Sequence, residues 1–107
     1  MAKLCELTCK ACRGDMDRLS EEQARGLLGQ LSGWELVEGA RLLKNFKFPD
    51  FVSALAFVNR VGALAEGQGH HPDIFLAWGR VRIEISTHKV KGLTESDFVL
   101  AAKLDEL

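Results

Sequence analysis

The chain contains three histidines, and all of them fall in two short segments. The first segment, EGQGHHP, holds Glu66, His70, His71 and Pro72, and the second, STH, ends at His88. Imidazole is the side chain whose unperturbed pKa, about 6.5, allows it to give or take a proton near neutrality. Because no histidine is used elsewhere in the chain, the two segments predict a small proton-transfer site.

Local backbone preferences suggest how the two segments meet. His71 precedes a proline, which favours extended backbone and gives the loop a defined course. Residues 74–88 have the pattern of an antiparallel hairpin, so we expect its far end to bring His88 back towards His70 and His71. Glu66, four residues before His70, is placed to orient an imidazole.

Asp97 is a further candidate carboxylate of this site. It also has a plain structural alternative, because it stands three residues after Thr94 at the start of a predicted helix. That spacing is typical of a capping box, in which the carboxylate accepts the backbone N–H of the capping residue. The sequence leaves both roles open.

A metal site is a second interpretation of the histidines, since two or three imidazoles with a carboxylate can hold zinc. Adjacent residues of an extended segment point to opposite sides, so His70 and His71 are badly placed to bind one ion together. The sequence also lacks two histidines spaced four apart on a helix. We therefore predict no catalytic metal.

Three cysteines, Cys5, Cys9 and Cys12, lie close together at the start of the chain. Residues 1–18 have no apolar period and are predicted to form an irregular arm. Their spacing is one that radical enzymes use to hold an iron–sulfur cluster. An odd number of cysteines makes a poor disulfide framework. A cluster, a structural zinc and reduced thiols all remain open, and the role of these cysteines is not predicted.

Composition limits the classes of function. With 14 basic and 15 acidic residues the formal charge is −1, which gives no general attraction for nucleic acid or an anionic membrane. No apolar run approaches the length needed to span a bilayer, and the first residues lack the apolar stretch of a signal peptide. The expected location is the cytoplasm, without membrane or nucleic-acid partners.

Hydrophobic periodicity predicts the order helix, strand, strand, helix, strand, strand, helix. Ser20, Pro49-Asp50 and Thr94 provide the start signals of the three helices. Short connections within each strand pair indicate hairpins, and three helices can cover one face of the sheet. The prediction is a single α+β domain over residues 19–107, a two-layer sandwich of a four-stranded antiparallel sheet with three helices on one face.

Finer expectations come from the same patterns. The first helix should end at Ser32-Gly33. The second, residues 51–66, carries Arg60 as its single charge before position 66 and should be mostly covered. The fourth strand should run from residue 81 to His88, with His88 on its polar face. Lys44 and Lys47 are expected to form a solvated strand face.

These residues together resemble the pterin-4a-carbinolamine dehydratase family. The resemblance covers residues 19–107 and rests on the segments GHHP (69–72), STHK (86–89) and GLTESDF (92–98), with Trp78, Gly33-Trp34 and the run FKF (46–48). The CxxC of the arm is similar to that of bacterial members. Two residues depart from the family. Its members often have an acidic residue or Asn where this chain has Gly69, and many have Trp where this chain has Ile74.

The resemblance implies a hydro-lyase that dehydrates 4a-hydroxytetrahydropterin to quinonoid dihydropterin and so recycles the pterin cofactor of aromatic amino acid hydroxylases. It implies His71 and His88 as the acid–base pair and His70 as a residue that holds the pterin. Glu66, Pro72, Thr87 and Asp97 stand at supporting or substrate-binding positions.

The family resemblance also implies partners. It implies no separate cofactor, because the pterin is the substrate, and it implies subunits joined as homodimers or homotetramers. An alternative is a non-catalytic dimerisation module of the transcriptional coactivator type. The preferred pterin side chain and the hydroxylase served are not predicted.

Overall fold

The computed structural model describes residues 18–107; the predicted cysteine arm, apart from Arg18, lies outside the described residues. The described elements, in chain order, are α1 (Glu21–Leu28), β1 (Glu35–Val37), β2 (Arg41–Lys47), α2 (Phe51–Gln68), β3 (Asp73–Ala77), β4 (Arg80–Ile85), a 3₁₀ turn (His88–Val90) and α3 (Glu95–Leu104).

The four strands form one antiparallel sheet in the order β1-β2-β4-β3. Alternate residues of β4, namely Val81, Ile83 and Ile85, are fully buried and belong to the same core cluster as the inner faces of the helices. The other face of β4 carries charged side chains. The predicted α+β fold, with helices covering one face of the sheet, is therefore confirmed.

The helices begin at the predicted capping residues. Ser20 and Gln23 exchange hydrogen bonds of 2.9 and 3.1 Å between side chain and backbone at the start of α1. The Asp50 carboxylate accepts the Ser53 N–H at 2.8 Å at the start of α2, and hydrogen bonds from the side chain and backbone of Ser53 hold the pKa of Asp50 below its usual range.

The prediction that α1 continues to Ser32-Gly33 is wrong, because the helix ends at Leu28. Gly26 and Gly29 each disfavour helix by about 1 kcal/mol relative to alanine. With Gly29 as its C-cap, α1 stops after eight residues. Its apolar side chains, including Leu31 beyond the end, still pack against the core.

The expectation that α2 is mostly covered is also wrong within the single chain. The buried positions of α2 are Ala54, Phe57, Val61 and Ala65, a stripe of three- and four-residue spacing that faces the sheet. By contrast, the side chains of Phe51, Val52 and Leu55 are 42%, 74% and 40% exposed. A second apolar surface therefore lies on the outer side of this helix.

Lys44 does not belong to a solvated strand face as predicted. It alternates with Leu42 and Phe46, so it points to the helix-covered side of β2, where its ammonium group lies 2.7 Å from the Asp105 carboxylate at the end of α3. The indole N–H of Trp34 donates to the same carboxylate at 3.1 Å. This partly buried group ties the end of α3 to the first hairpin. Lys47 is exposed as predicted.

The prediction that β4 reaches His88 is wrong, because the strand ends at Ile85. The pairing of β2 with β4 stops at Leu42 and Ile85, and β3 begins opposite Glu84, so neither neighbouring strand pairs with the chain beyond Ile85. The chain instead closes a short loop in which Thr87 bridges Gly92. His88 therefore starts a 3₁₀ turn outside the sheet.

Candidate functional site

A pocket of about 250 Å³ lies where the loop after α2 meets the loop after β4. The residues that line it are Gly69, His70, His71, Ser86, His88 and Lys89. The three histidines, separated by up to 18 positions in the sequence, thus face a common space. The path of the chain accounts for this, because β4 runs antiparallel to β3 and its end therefore lies beside the loop that precedes β3.

The turn that leads into the pocket is set by the end of α2. Gly69 adopts a left-handed conformation with φ of 65° and serves as the C-cap of the helix. The next residue, His70, donates its backbone N–H to the Ala65 carbonyl at 3.2 Å. The helix therefore ends at a defined residue, and His70 and His71 follow it directly at the edge of the pocket.

His70 is the buried histidine of the pocket wall, with 2% of its surface exposed. Its Nε2 lies 2.6 Å from Oδ1 of Asp97, which is completely buried. A carboxylate accepts hydrogen bonds, so this contact places a proton on Nε2 of His70 and fixes the direction of the ring.

The other oxygen of Asp97 holds two further donors. Oδ2 accepts the hydroxyl of Thr87 at 2.7 Å and the backbone N–H of Thr94 at 2.8 Å. The two threonine hydroxyl oxygens lie 3.1 Å apart. Asp97 thus combines both roles that the sequence left open, because one oxygen caps α3 while the other holds His70.

His71 points the other way and is exposed. Its side chain is 61% accessible, and Nε2 lies 3.3 Å from Oε2 of Glu66, which is 82% accessible. A contact of this length between exposed groups is weak. Glu66 is thus beside His71, and the neighbouring His70 turns to the interior, as expected for consecutive residues of an extended segment.

His88 and Lys89 enter the pocket from the 3₁₀ turn and are both exposed. Ser86, half-buried between β4 and the turn, lies on the same wall. Thr87 stands behind this wall, with 1% of its surface exposed. The turn is held closed by the hydrogen bond from the Thr87 N–H to the Gly92 carbonyl at 2.8 Å.

Most of the residues predicted for the site come together here, in three layers. His70, His71 and His88 line the pocket, Asp97 and Thr87 support His70 from behind, and Glu66 lies at the rim. Pro72 is half-buried and is not among the lining residues. Four residues of the arrangement were not predicted for the site: Gly69, Ser86, Lys89 and Thr94. The segments that carried the family resemblance contained all four.

Two further observations concern the part of the chain from residue 18 onward. No helix in this part is long and apolar enough to cross a membrane. No group of three or more His, Cys, Asp or Glu side chains within the described range could hold a metal ion.

The side chains around the pocket are of a type suited to proton exchange with a small ligand. Two accessible imidazoles, His71 and His88, face a pocket whose back wall is a third imidazole held by a buried carboxylate. Neutral imidazole accepts a proton and imidazolium donates one, so the pair can serve as base and acid in the same reaction.

Comparison with known proteins identifies the family. The sequence profile described as pterin 4 alpha carbinolamine dehydratase matches residues 17–107. A protein of Rubrobacter xylanophilus, provisionally named a pterin-4-alpha-carbinolamine dehydratase, is 52% identical over 107 residues, the full length of both chains.

Two solved structures are similar in fold. A transcriptional coactivator/pterin dehydratase from Brucella melitensis superposes with a TM-score of 0.79 at 36% identity, covering 84% of this chain and 97% of that one. A pterin dehydratase-like protein described as a RuBisCO assembly factor in the alpha-carboxysome gives a TM-score of 0.60 at 26% identity, covering 70% and 88% of the respective chains. The present chain therefore belongs to the pterin 4 alpha carbinolamine dehydratase family and is a hydro-lyase.

Proposed function

We propose that this protein dehydrates 4a-hydroxytetrahydropterin to quinonoid dihydropterin by histidine acid–base catalysis. The observation that carries the proposal is that His70, His71 and His88 line one pocket. In the reaction the bond between C4a and its hydroxyl oxygen breaks, and the oxygen takes a proton and leaves as water. The proton on N5 is removed, and its electron pair forms the double bond between N5 and C4a.

The reaction therefore needs one proton delivered to the leaving oxygen and one removed from N5, so the number of protons bound by the enzyme does not change. His71 and His88 are proposed as this acid–base pair, because both are accessible to a ligand and can exchange protons with water between turnovers. Positioned acid–base catalysis of this kind contributes about 10²–10⁴-fold in rate. No cofactor is required, since the pterin is the substrate.

His70 is proposed to hold the pterin ring. It is buried and bonded through Nε2 to Asp97, so its orientation is fixed by the protein interior. Glu66 is proposed to orient His71 from the rim of the pocket. The metabolic role that we assign to the reaction is recycling of the pterin cofactor of aromatic amino acid hydroxylases.

The deciding experiment is turnover of 4a-hydroxytetrahydropterin by the purified protein. The carbinolamine is formed in the assay, and the appearance of quinonoid dihydropterin is followed by absorbance against the spontaneous reaction. We expect a rate that rises in proportion to protein concentration. Dehydration at the spontaneous rate with folded protein present would contradict the proposal.

A second candidate is a non-catalytic interaction module. It is favoured by the exposed apolar side chains Phe51, Val52, Phe75 and Trp78, and by the assembly function described for one of the structural relatives. The same turnover experiment separates the two functions, because a pure binding module does not accelerate dehydration.

The proposed active form is a homodimer that pairs through β3. This strand lies at the edge of the sheet, and its exposed side chains include Phe75 at 53%, Leu76 at 36% and, just beyond its end, Trp78 at 68%. An edge strand presents unpaired backbone groups that another strand can extend. A second copy supplies the same strand in the antiparallel direction about a two-fold axis.

Charge complementarity favours one register for this pairing. When Phe75 lies on the axis, all five residues of β3 are paired and Asp73 stands opposite the partner's Ala77. Arg80 pairs with Ala77 across the β3–β4 hairpin, so the partner's Arg80 lies two strands from Asp73 on the same face. That separation is about 10 Å between Cα atoms, with an alanine between them, and a long arginine side chain can span it.

Charge reversal tests this dimer. Asp73→Arg is expected to convert a species of twice 11.8 kDa into the 11.8 kDa monomer, because two arginines then oppose each other at both ends of the interface. Adding Arg80→Asp restores the opposite pair, so the double variant is expected to be dimeric. Light scattering coupled to size-exclusion chromatography measures the masses.

Val52→Asp provides the matched control, since it adds a charge to the exposed apolar surface of α2 and leaves β3 unchanged. It is expected to keep the dimer. If Asp73→Arg remains dimeric, or if the double variant does not recover the dimer, the proposed register is wrong. If the α2 surface is also used, the wild type is a tetramer and Val52→Asp reduces it to a dimer.

A further inference from the structure

Thr94, the N-cap of α3, contacts both Asp97 and Thr87, which is itself bonded to Asp97. It is 2% exposed, and its backbone N–H donates to Oδ2 of Asp97 at 2.8 Å. Its hydroxyl oxygen lies 3.1 Å from that of Thr87. Both threonines and the aspartate are buried, so water does not substitute for these contacts.

The direction of the hydrogen bonds follows from the number of protons. Thr87 has one hydroxyl hydrogen, and it donates that hydrogen to Oδ2 of Asp97 at 2.7 Å. The contact between the two threonines must therefore be donated by Thr94. A chain of donors results, from Thr94 to Thr87 to Asp97, and the other oxygen of Asp97 receives the Nε2 proton of His70.

We propose that Thr94 is a positioning residue of the dehydratase site. Its hydroxyl and its N–H fix Thr87 and Asp97, and through them they keep the imidazole of His70 in one tautomer and one orientation at the pocket wall. The N-cap of α3 thereby becomes part of the site that is proposed to bind the pterin. The expected change in kcat rests on the proposed function, whereas the expected change in the hydrogen bond of His70 does not.

Two substitutions separate the hydroxyl from the bulk of the side chain. Thr94→Val keeps the shape and the backbone N–H but removes the donor to Thr87. Thr94→Ser keeps the donor and loses a methyl group. We expect Thr94→Val to lower kcat by about tenfold with a much smaller change in KM, because a displaced His70 would still contact the pterin ring but would orient it poorly towards His71 and His88, and misoriented reacting groups are costly to rate. Thr94→Ser should stay within about twofold of the wild type.

A direct readout that needs no turnover is the Nε2–H resonance of His70 in protein labelled with ¹⁵N-histidine. A short hydrogen bond to a buried carboxylate protects this proton from exchange with water. The resonance is expected in the wild type and in Thr94→Ser, and it should be shifted or lost through exchange in Thr94→Val.

Val99→Ala is the control for general loosening of α3. Val99 is buried in the core on the same helix and is not part of this donor chain, so its truncation lowers stability while keeping the resonance and kcat.

An unchanged resonance and kcat in Thr94→Val would overturn the proposal. Equal losses in Thr94→Ser and Thr94→Val would also overturn it, since packing would then explain both. If the wild type has no dehydratase activity, the proposed function fails while the resonance still decides the positioning role.

Discussion

His71→Ala and His88→Ala are each expected to lower kcat/KM for carbinolamine dehydration by at least tenfold, about 1.4 kcal/mol of transition-state stabilisation. The physical reason is that the leaving oxygen needs a proton and N5 must lose one, and each imidazole is proposed to serve one of these transfers. Both residues are exposed, so the free energy of unfolding should hardly change.

A matched control distinguishes proton transfer from simple contact with the ligand. Glutamine at either position keeps hydrogen-bonding capacity but does not titrate near neutrality, so His71→Gln and His88→Gln should lose as much activity as the alanine variants. The measurements are initial rates of dehydration and urea unfolding of each variant. Activity equal to the wild type in both alanine variants would rule out the assignment of this pair.

Asp97→Ala is expected to lower the free energy of unfolding by about 3 kcal/mol, with loss of dehydratase activity. The substitution leaves the donors of His70, Thr87 and Thr94 facing a buried space without their acceptor. Buried donors without a partner are costly, and here three are affected at once. Urea unfolding followed by circular dichroism measures the loss.

Asp97→Asn tests the electrostatic part of the same interaction. An amide keeps the size of the side chain but must turn its NH₂ group towards either His70 or the Thr94 N–H, and both are donors in the wild type. We expect a smaller loss of stability than in the alanine variant, together with a changed tautomer of His70 in ¹⁵N spectra. If Asp97→Ala has the same free energy of unfolding and the same His70 spectrum as the wild type, this hydrogen-bond network does not hold the site.

The agreement between sequence and structure is best where one residue type dictates local geometry. Ser20, Asp50 and Thr94 stand at the starts of their helices, where capping residues were predicted. The disagreements occur where other elements decide the outcome. β4 stops at Ile85 because neither neighbouring strand pairs with the chain beyond it, and Lys44 is covered because the end of α3 brings Asp105 to it.

The candidate site shows the same division. That His70 and His71 point apart follows from extended backbone, and the spacing of Thr94 and Asp97 indicates a helix cap. The sequence could not show that one carboxylate oxygen caps the helix while the other accepts from His70, 27 positions away. This contact depends on the docking of α3 against the loop after α2.

By itself, the amino-acid sequence determined the set of imidazoles, the order of helices and strands, and the family to which they belong, because periodicity and capping are local properties of a chain. Only the tertiary structure decided which histidine is buried, what holds it, and that Thr94 and Thr87 stand behind it. Burial and hydrogen-bond partners depend on how distant segments pack, and no spacing in the sequence encodes the separation between atoms of different elements.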